Sequence, residues 1–278
     1  MPRDPLPVPR DSLPVPTPDP ADAGRHERIL RLLDRLLHDK AVRTAFIEGG
    51  PSHPELGLDA DLVTAFARVD VRELALVGRN IRSEVVGGGT GTGPGLGRIF
   101  PRTLEAIREG TGRTPNEIAE LFIASAQFQD FRDVPFSCAG RGRLLPECFH
   151  RFVAQSPQFG PAGALGGAAG VEPLAHHEAA VAVAQAVATA AGATFEVGLA
   201  GSAVHGGTLC AFRDYAGAPA AWGLVPTMYL AAPGRCVVGG GSRAVFGALV
   251  AVLTGRGDEL APAVRESLEK RLRTWGLR

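Results

Sequence analysis

The sequence predicts an α+β protein, mainly α, in which an N-terminal helical domain is followed by a small α+β domain. Three observations predict this. Apolar residues recur at helical spacing from residue 25 to about 155, a Pro/Gly/Ala stretch follows at 156–170, and residues 171–278 carry short strand-like runs between helices. At 278 residues the chain is long enough for two domains, and the boundary is expected at 156–170.

Residues 1–24 hold eight prolines and a near-repeat, Arg3-Asp-Pro-Leu-Pro-Val-Pro9 and Arg10-Asp-Ser-Leu-Pro-Val-Pro16. Proline at this spacing forces extended backbone without internal hydrogen bonds, so a disordered tail is expected, either a plain leader or a ligand for a proline-reading groove. From Arg25, Ile29, Leu32, Leu33, Leu36 and Leu37 make one apolar stripe, opposed by Arg28, Arg31, Asp34 and Arg35, which predicts an amphipathic helix. A helix from about Lys40 to Ile47 ends at Gly49-Gly50-Pro51, and Asp59 and Asp70 are placed to cap the next two. These four helices describe a small bundle.

Residues 87–97 carry seven glycines in eleven positions. A phosphate-binding loop would need Gly-x-Gly-x-x-Gly or a Walker Lys-Ser/Thr after a strand; neither spacing occurs and the preceding pattern is helical, so a connector is expected. Helices resume at Pro101 to Glu109 and at Pro115 to Ala126, the second opening with a capping box of Thr114 and Glu117. Leu121, Phe122, Phe128, Phe131, Phe136, Phe149 and Phe152 are the expected core of the first domain, whose last helix is Leu145 to Ala154. Glu172 to Ala191 reads as a small-residue helix. Strand-like runs follow at Thr194 to Leu199, Thr208 to Phe212, Ala221 to Leu230 and Cys236 to Val238, then helices Arg243 to Leu253 and Pro262 to Trp275.

Basic and acidic residues number 29 each, so no net charge draws the chain to nucleic acid or anionic lipid. The N-terminus lacks the apolar core of a signal peptide, and the longest apolar run, Ala179 to Ala191, is too short for a span, so a cytoplasmic protein is expected. Cys138, Cys148, Cys210 and Cys236 are then expected as free, buried thiols.

Chemistry is hard to find in the spacing. There is no Cys-x-x-Cys and no His-Glu-x-x-His, and Gly201-Ser202 and Gly241-Ser242 lack the flanking glycine of a hydrolase elbow. His176 and His177 are about 100° apart on a helix, and Cys148 and His150 about 200° apart, so neither pair forms a site by itself. A solvated helix start is expected at 176–177, and the carboxylates are expected on polar helix faces. No catalytic residue, metal ligand or cofactor is expected in this chain.

The runs Leu76-Val-Gly-Arg-Asn-Ile-Arg-Ser-Glu-Val, Ile99-Phe-Pro-Arg-Thr-Leu, Glu120-Leu-Phe-Ile-Ala-Ser and Leu145-Pro-Glu-Cys-Phe-His-Arg-Phe-Val follow in a characteristic order. Leu36-Leu-His-Asp-Lys-Ala-Val-Arg-Thr-Ala-Phe and Glu55-Leu-Gly-Leu-Asp precede them. Over about residues 28–155 the chain resembles the DNA-binding-domain type of partner subunit of multinuclear non-heme iron oxidative enzymes, which modify ribosomally synthesised peptides (RiPPs). A fainter echo lies at Val225-Pro-Thr-Met-Tyr-Leu and the two closing helices. The glycine insertion and the proline tail depart from the pattern. The resemblance implies a helical domain that docks on the enzyme, iron held by that enzyme, and a winged-helix-like module whose sheet edge accepts a precursor peptide as an added strand. Trp222, Leu224, Val225, Met228 and Tyr229, on the longest strand candidate, are the expected peptide groove, with ordinary core residues as the alternative.

Two other readings remain open. A helix-turn-helix regulator would use Arg265, Lys270, Arg271 and Arg273, although Glu266 and Glu269 share that helix. An enzyme with a dispersed metal site would draw on His176, His177, His205 and Cys210.

Overall fold

The computed structural model describes residues 20–89, 93–133, 143–160, 170–189, 198–199, 201–205 and 207–277. The expected strand at Thr194 to Leu199 falls mostly outside them, as do the proline repeat, Phe136 and Cys138. Cys148 and Cys210 are buried free thiols, but Cys236 is exposed, because it lies on an edge strand of the sheet. The architecture is mainly helical with one small antiparallel sheet. The chain divides into compact units at Met1–Gly78 and Arg79–Arg278, not at 156–170. The helices on either side of that stretch share a core, so the Pro/Gly/Ala composition marks a connection inside one unit.

The first unit holds α1 (Pro20–His38), α2 (Lys40–Gly49), α3 (Ala60–Phe66) and the start of α4 (Val71–Gly87). The first helix begins at Pro20, inside the expected tail, because proline's fixed φ suits a first turn. Leu32, Leu36, Phe46, Leu62, Phe66 and Val71 form its core. Asp39 and Asp59 cap α2 and α3 by accepting from backbone N–H groups, and the Asp70 side chain accepts from Arg72 N at 2.8 Å. Arg43 is buried and donates to Leu36 O and Leu37 O, satisfying carbonyls at the end of α1 that its own turns leave open.

In the second unit the glycine segment folds in part. Gly88–Gly89 (β1) pairs with Gly93–Pro94 (β2). A side chain at Gly95 would fall 2.3 Å from Gly88 N and 2.5 Å from Val86 O, so this glycine is required by close backbone approach. There follow α5 (Leu96–Ile99), α6 (Pro101–Thr111), α7 (Pro115–Ile123), α8 (Ala126–Asp133), α9 (Leu145–Gln155) and α10 (Glu172–Thr189). The capping box at Thr114 and Glu117 forms as the spacing predicts. Phe122, Phe128, Phe149 and Phe152 pack edge-on or tilted in one core with Phe100 and Phe159, while Leu121 faces outward.

The sheet has the order β3 (Ser202–His205), β4 (Thr208–Arg213), β5 (Thr227–Ala232), β6 (Arg235–Gly240), all antiparallel. Both central strands are buried on both faces. Ala211 and Tyr229 point to the core that holds α10, while Cys210, Phe212, Met228 and Leu230 point to Leu249, Val252, Leu268 and Leu272 of α11 (Arg243–Leu253) and α12 (Pro262–Trp275). The sheet is thus a middle layer. Its central position explains why α10 is built of alanine and valine around its length, since small side chains let α9 and the strands approach it closely. A winged-helix arrangement is an expectation of the resemblance, and what is established is the coarser α+β class.

Candidate functional site

The polar residues of the second unit meet on α10. Glu172 and His176 are one turn apart on it, and both are buried. His150, from α9, places Nε2 2.7 Å from Glu172 Oε1. Arg213, at the end of β4, donates from both terminal nitrogens to the two oxygens of the same carboxylate, one bond measuring 2.6 Å. Burial pushes the Glu172 carboxyl up, but the His150 and Arg213 hydrogen bonds and the Arg213 charge outweigh it and hold it at about 2. Glu172 is therefore an ion at any ordinary pH and accepts from both partners.

A second chain of hydrogen bonds runs beside this triad. His177 Nδ1 lies 2.6 Å from the Tyr229 hydroxyl, that hydroxyl 2.6 Å from the Tyr215 hydroxyl, and the Tyr215 hydroxyl 2.9 Å from His176 Nδ1. Burial drives both phenols upward, Tyr229 to about 12, so each keeps its proton. Two phenol protons cannot fill three links. One of the two imidazoles must carry its proton on Nδ1 and donate into the chain, which orders it in one direction. His150 and His176 also meet edge to face at 5.1 Å, which joins the chain to the triad.

Two more buried carboxylates close helix ends. Glu178 accepts from the backbone N–H groups of Arg102 and Thr103, each at 3.0 Å, and from the Thr103 hydroxyl at 2.6 Å. It caps α6, whose own N-cap residue, Phe100, has no side chain able to accept. Glu147 accepts from Leu144 N at 3.0 Å and from Gly198 N at 2.7 Å. Burial raises the pKa of both, against these hydrogen bonds. His177 is lowered by burial, with Arg102 adding to the effect.

These positions correct the sequence reading. The 176–177 pair is not a solvated helix start, since His176 is 1% exposed, and Glu147, Glu172 and Glu178 do not lie on polar faces. Buried carboxylates could have been suspected from α10, where Glu172, His176, His177 and Glu178 sit in an otherwise apolar helix with no opposing polar stripe. Their partners on α6, α9, β4, β5 and the turn at Tyr215 are 22 to 76 residues away and leave no local signal.

The dispersed metal site does not assemble. Cys210 points to the α11–α12 side of the sheet while His176 and His177 lie on the α10 side, and His205 is on β3. Among the described residues no three His, Cys, Asp or Glu side chains are grouped to hold a metal ion. A hollow of about 580 Å³ between the end of α6 and residues 157–158 offers Arg113 and Glu117, but Glu117 is engaged in the α7 capping box. On α12, Arg265 pairs with Asp258.

The expected peptide-groove residues separate. Met228 and Tyr229 are buried on β5, a central strand with neighbours on both sides. Trp222 lies in a single 3-10 turn, Ala220–Trp222, where its carbonyl accepts from Arg102 Nη2. Leu224 is half-buried and Val225 is 55% exposed, both in the segment before β5. The strand that begins at Thr227 is thus shorter at its start than the apolar run, since Gly223 in left-handed backbone and Pro226 interrupt the pairing.

Strand β6 is one edge of the sheet, β3 being the other. No strand pairs with its outer side among the described residues, and all six of its residues are exposed or half-exposed. A two-residue turn, Pro233-Gly234, closes the β5–β6 hairpin on the pair Ala232 and Arg235. In such a hairpin the closing pair is hydrogen-bonded and bonding alternates, so Cys236, Val238 and Gly240 direct their N–H and C=O groups to the open side. The bond from Gly241 N to Pro226 O fits the same alternation.

The glycines that end the strand differ in what they do. A side chain at Gly241 would fall 2.5 Å from the Met228 methyl, so the end of that side chain would have to shift to admit it. A side chain at Gly239 would meet nothing within 4 Å, and its φ is not positive. The fold does not need that glycine. It leaves a notch on the α11–α12 side of the edge, opposite Met228 in the register.

The chain matches no protein-family model, no curated protein and no solved structure. No helix among the described residues is long and apolar enough to cross a membrane.

Proposed function

We propose that this chain is a cytoplasmic, non-catalytic binding protein that takes an extended peptide as an added strand on β6. By the family resemblance, it is a partner subunit that presents a ribosomally made precursor peptide to a multinuclear non-heme iron oxidative enzyme. The iron then belongs to that enzyme, and the helical unit is the surface offered to it. The observation that carries the peptide reading is the open edge of β6. Proteins usually blunt an exposed edge with lysine, an inward charge, proline or a bulge. Apart from Arg235 at its start, β6 has none of them. A peptide laid along it gains main-chain hydrogen bonds, and the side-chain pockets beside it select the sequence.

Val238→Pro tests this reading. Proline there removes an N–H that points away from β5 and leaves the ladder intact, so the folded state is expected to persist by circular dichroism. Binding of fluorescein-labelled extended peptides, followed by anisotropy, is expected to disappear. Undiminished peptide binding by the folded variant would remove β6 as the site. Co-purification from the native host tests the wider assignment, which fails if neither a short peptide nor an iron enzyme accompanies the chain.

A further inference from the structure

We infer that His177, Tyr229, Tyr215 and His176 form a proton relay that takes up one proton from solvent and shares it with a buried histidine, a pH-sensitive device separate from the peptide edge. The two ends of this chain differ in access. His177 is half-buried, and its Nε2 has no hydrogen-bond partner among the described residues and is not one of their sealed polar atoms, so solvent reaches it. His176, Tyr215 and Tyr229 are buried. A proton that joins the group without opening the fold therefore enters at His177.

The links fix how many protons the group can hold. Each of the contacts at 2.6, 2.6 and 2.9 Å needs one proton, the phenols supply two, and the Nδ1 of one imidazole supplies the third. With both imidazoles neutral, the remaining N–H sits on Nε2 of the other histidine. One added proton gives both histidines an Nε2–H and leaves the chain between them intact. A second would put an N–H at both ends, four protons for three links, with one left over in a buried space. The single added charge can lie at either end. When His177 Nδ1 gives its proton to the Tyr229 oxygen, Tyr229 passes its own to Tyr215 and Tyr215 passes its own to His176 Nδ1. Three protons each cross one link, no heavy atom moves, and the positive charge leaves His177 and arrives on His176.

The groups that face the relay favour sharing. On the His177 side stand Arg102 of α6, which donates to the Trp222 carbonyl, and Glu178, the next residue of α10, whose carboxylate accepts from Arg102 N. Burial lowers the His177 pKa and the Arg102 charge adds to it, so uptake is expected below the ordinary 6.5 and the charge is repelled toward the other end. On the His176 side stand the Tyr215 and Tyr229 rings and His150 of α9, edge to face at 5.1 Å. One turn earlier on α10 is the Glu172 ion, with Arg213 of β4 bound to it. That carboxylate draws positive charge toward His176 against the cost of burial, so the two imidazoles titrate as a pair.

The test is a pH titration of the full-length protein carrying nitrogen-15 histidine, with circular dichroism at each pH to confirm the fold. The ring signals of His176 and His177 are expected to move together at one midpoint below pH 6.5. Each should cover part of the full imidazolium shift, the two parts adding to one charge. In Tyr215→Phe, which breaks the middle of the relay, His177 is expected to take the whole charge while His176 stays flat; Tyr229→Phe replaces it if the first variant does not fold. Three results on the natural chain would overturn the relay: a His176 that stays flat through the His177 transition, both histidines reaching the full shift in the folded protein, or a pair that never charges. Sharing that survives loss of the phenol overturns it equally.

Discussion

Two sides of one four-stranded sheet have been finished in opposite ways. Strands β4 and β5 are buried on both faces, and their polar groups are tied into α9 and α10 through His150, Glu172, Arg213, His176, His177, Tyr215 and Tyr229. Strand β6, hydrogen-bonded to the same β5, is exposed except for the half-buried Val237 and ends in glycines that its own packing does not all require. The residues with the richest chemistry are thus committed to holding the unit together, and the residues free to meet another molecule are chemically plain. A catalytic reading of the histidines has to explain how substrate would reach His176 at 1% exposure. A binding reading of β6 needs no movement.

The largest expected effect is on the sealed side. Glu172→Ala removes the carboxylate that both His150 and Arg213 address, leaving a partly buried guanidinium unpaired, and is expected to cost about 3 kcal/mol in chemical denaturation. The acid dependence follows from the same group. Its folded pKa, about 2, is below the ordinary 4.5, so its stabilisation is fully present above pH 4.5 and is lost as pH falls toward about 2. Glu147 and Glu178 are shifted the other way, so their ionisation weakens the fold and acid relieves it. The stability gap between the natural chain and Glu172→Gln isolates the first effect, and should shrink steadily across that window. A gap independent of pH would show that Arg213 and His150 do not hold the ion.

Next in size is Glu178→Ala, which uncaps α6 and leaves the Thr103 hydroxyl without its acceptor, at an expected cost of about 2 kcal/mol. Glu178→Gln keeps one acceptor oxygen and is expected to recover part of it. Tyr215→Phe is expected to cost about 1 kcal/mol by denaturation, and to free His176 Nδ1 from the phenol chain. Nitrogen-15 spectra of the two imidazoles should then show a changed tautomer balance in at least one of His176 and His177. Unchanged spectra would mean that the three links do not share their protons as the count requires.

The difference between the two sides also sets what could be read from sequence. Helix ends were legible wherever the signal is local: Asp59 before α3 and Thr114 with Glu117 at α7 need only three or four residues to act. Strands β5 and β6 fall within two of the expected strand-like runs or beside them, with Pro233-Gly234 as the turn between. The polar network could not, because Glu178 caps a helix 75 residues earlier and His177 finds Tyr229 52 residues later. Apolar continuity misled in the same region. Ala221 to Leu230 reads as one strand, yet Pro226 and the turn at Gly223 delay pairing to Thr227, which moves Trp222, Leu224 and Val225 off the strand and buries Met228 and Tyr229 within it. The Pro/Gly/Ala stretch at 156–170 misled for a related reason, since composition records flexibility of the backbone and not whether the helices beyond it pack together.

The smallest expected effect on stability is the one that divides the two sides most sharply. Gly239→Val places a β-branched side chain where a Cβ meets nothing within 4 Å and φ is already ordinary for a strand. With no clash, less freedom in the unfolded chain and better strand propensity, its melting curve should be unchanged or slightly higher, within about 0.5 kcal/mol. Yet the valine would fill the open space beside the edge, so peptide binding should weaken severalfold by anisotropy. If Gly239→Val binds peptide as well as the natural chain does, the notch is merely empty space and the peptide lies on the Val238 side alone.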